Sequence, residues 1–133
     1  MIKGFAHICF LVKDLDKSIE FYQGKLGFSH AFDFIDDKGK RFGVYLHING
    51  RTFFEMFVAD AVAPKEKQSY AHMCLEVDDI NSTVKDLRAK GVEVSDPKMG
   101  SDNSWQAWLK DPDGNPIELH HYTPKSKQGP FLK

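Results

Sequence analysis

Residues His7-Ile8-Cys9-Phe10-Leu11-Val12-Lys13-Asp14-Leu15, set above His72-Met73-Cys74-Leu75-Glu76-Val77-Asp78-Asp79-Ile80, decide how this chain is read. The offset is 72 − 7 = 65; His, Cys, Val and Asp recur identically, and apolar positions recur in kind. In the same register Leu15, Ile19 and Tyr22 fall over Ile80, Val84 and Leu87. Both triplets have the i, i+4, i+7 spacing of one helix face. An aspartate able to cap a helix precedes each, Asp14 or Asp79. Glycine stands where each helix should stop, at Gly24 or Gly27 in the first copy and Gly91 in the second. The chain is an internal duplication.

Working outward, each copy predicts a strand, a helix and further strands. The first gives strands at 5–12, 28–35, 41–48 and 52–58, a helix at 15–25 and a hairpin connection at 36–40. The second gives strands at 71–77, 92–95, 104–110 and 116–122 and a helix at 80–90. Between its last two strands, Asp111-Pro112-Asp113-Gly114-Asn115 is a strong turn signal. Residues 59–70 link the copies, and 123–133 read as a frayed tail. A copy of about 60 residues buries little surface alone, so both are expected in one domain spanning 1–133. Its modules lie at about 4–58 and about 71–122. The fold class is α+β.

Composition narrows the function. Hydrophobic residues make up 41% and charged residues 28% of 133, as in a folded globular chain. Eighteen basic against nineteen acidic residues provide no positive field for a nucleic-acid backbone. No apolar run approaches the length of about eighteen that a membrane span needs. The first residues lack the apolar stretch of a secretory signal. Two cysteines, Cys9 and Cys74, are too few for a disulfide scaffold and suit a reducing compartment. A small cytoplasmic protein is expected, without nucleic acid or membrane as partner.

Strand alternation then sorts side chains by face. Ile8, Phe10 and Val12 should turn toward the helices, with His7, Cys9 and Leu11 opposite. In the second copy Met73, Leu75 and Val77 are expected on the helix side, with His72, Cys74 and Glu76 opposite. Ile117 and Leu119 form the buried set of the last strand and leave Glu118 and His120 on the other face. Glu55 sits in the apolar run Thr52-Phe53-Phe54-Glu55-Met56-Phe57, where a carboxylate is costly unless paired or bound to a cation. The spacings agree, 55 − 7 = 48 and 118 − 72 = 46. His7, Glu55, His72 and Glu118 are therefore candidate ligands of one divalent ion. Two imidazoles and two carboxylates suit zinc or nickel, with cobalt, manganese and ferrous iron chemically admissible, and disfavour magnesium and calcium. A single strand histidine is more often structural, and a single half-buried glutamate can pair across a sheet; the duplication is what raises these four above that reading. His120 and His121 face opposite sides and cannot both bind one ion. His30 and His47 read as surface or sheet residues. Cys9 and Cys74 read as small filler lining a cavity. Trp105, Trp108, Phe53 and Phe57 read as core or pocket wall.

These motifs resemble the vicinal oxygen chelate superfamily, which groups glyoxalase I, bleomycin-resistance proteins and extradiol dioxygenases. The resemblance runs over about residues 4–122. It is carried by Ala6-His7-Ile8, Val12-Lys13-Asp14-Leu15, Ser18-Ile19, Phe21-Tyr22, Leu26-Gly27-Phe28, the segment 72–79 and Asp111-Pro112-Asp113-Gly114-Asn115-Pro116-Ile117-Glu118-Leu119. It implies two pseudo-symmetric βαβββ modules forming a curved mixed sheet around a cup. It also implies that His7, Glu55, His72 and Glu118 correspond to the metal ligands, in the two-His, two-Glu pattern of glyoxalase I-like lyases. Homodimers are common in such proteins. The implied activity is proton transfer next to a carbonyl through an enediolate, with Glu118 or Glu55 as the catalytic base. Where glutathione-dependent bacterial glyoxalases commonly carry an arginine, this chain has Leu11. Where they carry an asparagine, it has Ala59 and Asp60. Glutathione adducts are therefore not expected as substrate. The alternative is non-catalytic sequestration of a small molecule in the manner of bleomycin-resistance proteins. Thiol transfer to an antibiotic epoxide ranks last, because no cationic cluster lies near the motifs.

Overall fold

Each repeat builds its own four-stranded sheet. In a computed structural model describing residues 1–132, the chain divides into two compact units, residues 1–64 and the part from Lys65 onward. Lys133, the end of the tail read from the sequence, lies outside the described residues. In the first unit, β1 (His7–Val12), β2 (Ser29–Ile35), β3 (Arg41–Asn49) and β4 (Thr52–Val58) are ordered β1-β4-β3-β2. The second unit repeats this with β5 (Met73–Glu76), β6 (Lys98–Met99), β7 (Trp105–Lys110) and β8 (Pro116–His121), ordered β5-β8-β7-β6. In both, the first and last strands pair in parallel and the other pairs are antiparallel. Hydrogen-bonded ladders stay within each unit, giving two mixed sheets.

A parallel pair cannot be joined by a hairpin, so the chain must cross over before pairing β4 with β1. Helix α1 (Leu15–Ile19) begins that crossover, and α2 (Ile80–Ala89) does so in the second unit. Asp14 and Asp79 cap them, accepting from the Lys17 and Ser82 amides at 3.0 and 2.7 Å. As expected, α2 buries Ile80, Val84 and Leu87. The first helix departs from the sequence expectation. After Ile19 it widens into a π-helical stretch, Glu20–Lys25, with the Leu26 amide bonded to the Phe21 carbonyl at 2.9 Å. Arithmetic gives the reason: cap to terminating glycine spans 27 − 14 = 13 positions in the first copy and 91 − 79 = 12 in the second. Gly27 and Gly91 both adopt positive φ, 81° and 79°, so the stop is conserved between copies and the extra residue is absorbed as a wide turn. That turn carries both Phe21 and Tyr22 into the core, where Tyr22 meets Phe54 at 4.4 Å between ring centres.

Two further expectations are corrected. Residues 92–95 form no strand. Val92 and Val94 are buried, but Arg88 satisfies the Val94 carbonyl with its guanidinium and Pro97 has no amide to donate. The outer ladder is instead the short β6, paired to β7 through Lys98↔Gln106 and Met99↔Trp105. The tail is not frayed through its first half. Ser126 is buried, its hydroxyl meets that of Ser104 at 2.7 Å, and Thr123 donates to the Asn103 carbonyl at 2.6 Å. No helix among the described residues is long and apolar enough to cross a membrane.

The turn before β8 depends on one buried carboxylate. Asp111 accepts from the amides of Asp113 and Asn115 and from the Asn115 side chain, at 2.9, 2.8 and 2.9 Å. Replacing Asp111 with Ala strands these donors and should cost roughly 1–3 kcal/mol in urea unfolding, with Asp111→Asn losing less. Equal unfolding midpoints in both variants and the parent would show that the turn does not rest on this side chain.

Candidate metal half-sites

Parallel pairing places the candidate ligands. In the first sheet Cys9, Glu55 and Tyr45 stand side by side across β1, β4 and β3. In the second, Cys74, Glu118 and Trp108 occupy the same three places across β5, β8 and β7. Each cysteine-glutamate-aromatic row has its histidine two positions back along the first strand, His7 in β1 and His72 just before β5. His7 and Glu55 approach to 3.7 Å, and His72 and Glu118 to 3.1 Å, in both cases through the histidine Nε2. The structure thus brings the four predicted ligands together as two pairs, one in each unit.

The pairs are held differently. His7 shares a 3.0 Å hydrogen bond between its Nδ1 and the Tyr45 hydroxyl, which leaves Nε2 turned toward Glu55. His72 packs edge-on against Trp108 at 4.9 Å. Glu118 has both oxygens engaged, Oε2 with His72 and Oε1 with His120 Nδ1 at 3.0 Å. Among the described residues Glu55 has the long contact to His7 and the thiol of Cys9, which donates to it. His120 lies on the predicted face but is buried, only 8% exposed, in contact with Asp102 as well (Nε2 to Oδ2, 3.5 Å). Asp102 accepts from the Gln128 side chain at 2.7 Å; that bond, ahead of those from Ser104 and the charge of His120, holds its carboxyl below the usual range.

Other sequence readings settle here. Cys9 and Cys74 stand on the ligand face with part of each residue open to solvent and the thiol partly covered, and are not filler. Cys74, Glu118 and His120 alone could also cluster around an ion, their donor atoms lying within 4.8 Å of one another. Trp105 is exposed and Phe53, Phe57 and Trp108 are half-buried, so these four belong to open sheet faces and not to the core. His30 bonds Asp33, and His47 bonds the Gly50 carbonyl, both outside the pairs. Tyr45 was missed although strand alternation could have placed it opposite Glu55. Nothing local announces Asp102 or Gln128, which arrive through a loop and the tail.

The two open faces differ in chemistry. Around Glu55 lie Tyr45, Phe32, Phe34 and Phe57, with Phe32 stacked on Tyr45 at 4.7 Å and Phe34 tilted against Phe57 at 4.8 Å. Phe57 lies against Gly43, where a Cβ would meet its ring at 2.4 Å. Around Glu118 lie His120, Glu76 and Gln106.

The Glyoxalase/Bleomycin resistance protein/Dioxygenase superfamily profile matches residues 4–119. The chain belongs to that superfamily. Among relatives, a probable lactoylglutathione lyase of Vibrio cholerae is 34% identical over 120 residues, covering 85% of this chain and 86% of that one. The metallothiol transferase FosB of Staphylococcus epidermidis is 31% identical over 131 residues, covering 95% and 87%. The crystal structure of TnmS3, an antibiotic binding protein from Streptomyces sp. CB03234, superposes with a TM-score of 0.71 at 26% identity, covering 92% of this chain and 98% of that one. The superfamily thus contains lyases, thiol transferases and binding proteins on one α+β fold.

The thiols give a direct check on the electrostatics of these faces. Burial first, then the Glu55 hydrogen bond and charge, push Cys9 up to about 11. Burial first, then the charges of Glu118, Asp102 and Glu76, push Cys74 up to about 12. At pH 8 a free cysteine is about one-quarter thiolate, so iodoacetamide should label both residues at least about tenfold more slowly than free cysteine, with chelator present. Labelling should accelerate as pH rises toward 10. Mass spectrometry showing free-thiol rates at pH 8 would contradict this account.

Proposed function

We propose that this protein is a metal-dependent lyase or isomerase of the glyoxalase I type, moving a proton next to a carbonyl of a small oxygenated substrate. The observation that supports it is the repeated His–Glu pair, at the same register point of two sheets, with a second contact on His7 and Glu118. The donor set fits a borderline divalent cation such as zinc or nickel: two imidazole Nε2 atoms beside two carboxylates, one imidazole oriented through its other nitrogen. His7, Glu55, His72 and Glu118 would hold it, in a cytoplasmic homodimer. When bound, the ion supplies positive charge against which negative charge on adjacent substrate oxygens can develop.

The proton is carried by Glu55. A carboxylate that shuttles a proton must leave its partners and return, and Glu118, bonded through both oxygens, is the more restrained of the two. Glu55 is 16% exposed at its side chain, with one 3.7 Å contact and a neutral thiol beside it. It accepts the proton from one carbon and delivers it to the next while Tyr45 keeps His7 in place. The aromatic shelf beside Glu55 offers the substrate an apolar surface on that side. Leu11, exposed on the same face, offers no charge to a substrate carboxylate, consistent with a substrate other than a glutathione adduct.

Glu55→Gln should lower turnover of methylglyoxal mixed with a panel of thiols by at least about a hundredfold, while leaving the unfolding midpoint close to the parent. Tyr45→Phe should weaken metal binding by about tenfold or more, read by chelator competition. Unchanged turnover in Glu55→Gln would remove the base assignment. A parent protein that binds no zinc, nickel or cobalt would remove the metal reading altogether.

One observation favours a second reading, sequestration of an aromatic compound: the shelf of Phe32, Phe34, Phe57 and Tyr45, together with the likeness to an antibiotic binding protein. Calorimetry on chelator-treated protein separates the two. Tight binding of aromatic ligands without metal, and no turnover with it, would favour sequestration.

A further inference from the structure

The second module carries a side-chain relay that has no counterpart in the first. At the strand position two residues after the glutamate, β4 has Phe57 and β8 has His120. Behind His120 stands Asp102, and behind Asp102 the amide of Gln128. The loop bearing Asp102 is fixed by the segment after β8. Thr123 and Ser126 both donate to the Asn103 carbonyl, at 2.6 and 3.1 Å, and the Lys127 amide bonds the Asp102 carbonyl at 2.9 Å. Asn103 itself is held at φ 64°, a left-handed conformation unusual for a residue with a side chain and maintained here by those two hydrogen bonds. The segment from Thr123 to Gln128 thus fastens the loop and, through Gln128, the carboxylate facing His120.

We infer that Gln128, Asp102 and His120 form a positioning relay that fixes the orientation of Glu118. This rests on the proposal that Glu118 is a metal ligand. Carboxylates only accept, so with Glu118 at 3.0 Å from Nδ1 and Asp102 at 3.5 Å from Nε2 the relay has His120 protonated on both nitrogens, donating from Nδ1 to Glu118 and facing Asp102 at ion-pair distance without a hydrogen bond. The ring cannot swing away, because it is buried, lies edge-on to Tyr122 at 4.8 Å and faces Asp102 from the other side. One Glu118 oxygen is thereby fixed and the other is left to His72 and a cation. Ordering a ligand through its outer partner is worth about 10- to 100-fold in metal affinity. His120 acts through Glu118 and touches no reacting atom; it is a positioning residue.

The test uses the full chain in two arms. In the metal-free protein, nitrogen-15 NMR of the histidine rings should show a proton on Nδ1 of His120. A ring protonated on Nε2 alone would overturn the relay, whatever the protein does with metals. In the second arm, cobalt is titrated against a competing chelator and followed by its visible absorption. His120→Phe, which installs the side chain found at position 57, should weaken cobalt binding about 10- to 100-fold. His120→Asn, which keeps a donor near the place of Nδ1, should restore most of it, and Gln128→Ala should lose about three- to tenfold. Cobalt binding unchanged in His120→Phe, or lost equally in His120→Asn at matched unfolding midpoints, would overturn the role of His120. Unchanged affinity in Gln128→Ala would overturn the outer half of the relay. A parent chain that ignores cobalt would sink the metal proposal instead, and the ring-proton arm would still decide the hydrogen bond.

Discussion

The parallel pairing of each module's first and last strands is the constraint from which the candidate chemistry follows. Side chains on adjacent strands share a face only when register is fixed, and a slip of one residue would send every glutamate in the row to the core. Here the register is fixed by what lies on the reverse side. Phe10, Phe54 and Met56 in the first sheet, and Met73, Ile117 and Leu119 in the second, are buried against their helices. With those positions committed to the interior, Cys9–Glu55 and Cys74–Glu118 have nowhere to stand but the open face. Burying a Phe or Leu side chain is worth about 1.5–3 kcal/mol each, ample to hold a carboxylate in an otherwise apolar strand.

Duplication produced the framework, and divergence has made its halves unequal. Tyr45 and Trp108 occupy one position, as do Phe57 and His120. The first module answers with stacked rings, the second with a histidine, a glutamate and a glutamine. The open face of the first unit is thus an apolar surface, and that of the second a hydrogen-bonding one. The carboxylates differ for the same reason: Glu118 inherits a donor from the residue two places on, whereas Glu55 inherits an aromatic ring that donates nothing.

Much of this was legible in the sequence because it is local or periodic. Strand alternation places His7, Cys9, Glu55, Cys74 and Glu118 on their faces, and the aspartate caps and helix-ending glycines mark both crossovers. The π-helical stretch was invisible to a pattern that allows 3.6 residues per turn throughout, although the one-residue excess between Asp14 and Gly27 recorded it. Residues 92–95 misled because valines spaced by two look like a strand whether they pair or merely point inward. Asp102 and Gln128 were beyond reach for a different reason. Their partner, His120, lies 18 residues after one and 8 before the other (120 − 102 and 128 − 120), and no periodicity links loops across that interval.

Gly43 gives the apolar face its shape by what it lacks. The Phe57 ring occupies the space a β-carbon would need, stacked with Phe42 at 5.9 Å between ring centres. A single methyl at that point would meet both the ring and the Met56 carbonyl, the latter at 2.9 Å, so the strand beside Glu55 would have to shift with the ring. The contour of the apolar face and the backbone that carries Glu55 are therefore tied to one position that tolerates no side chain.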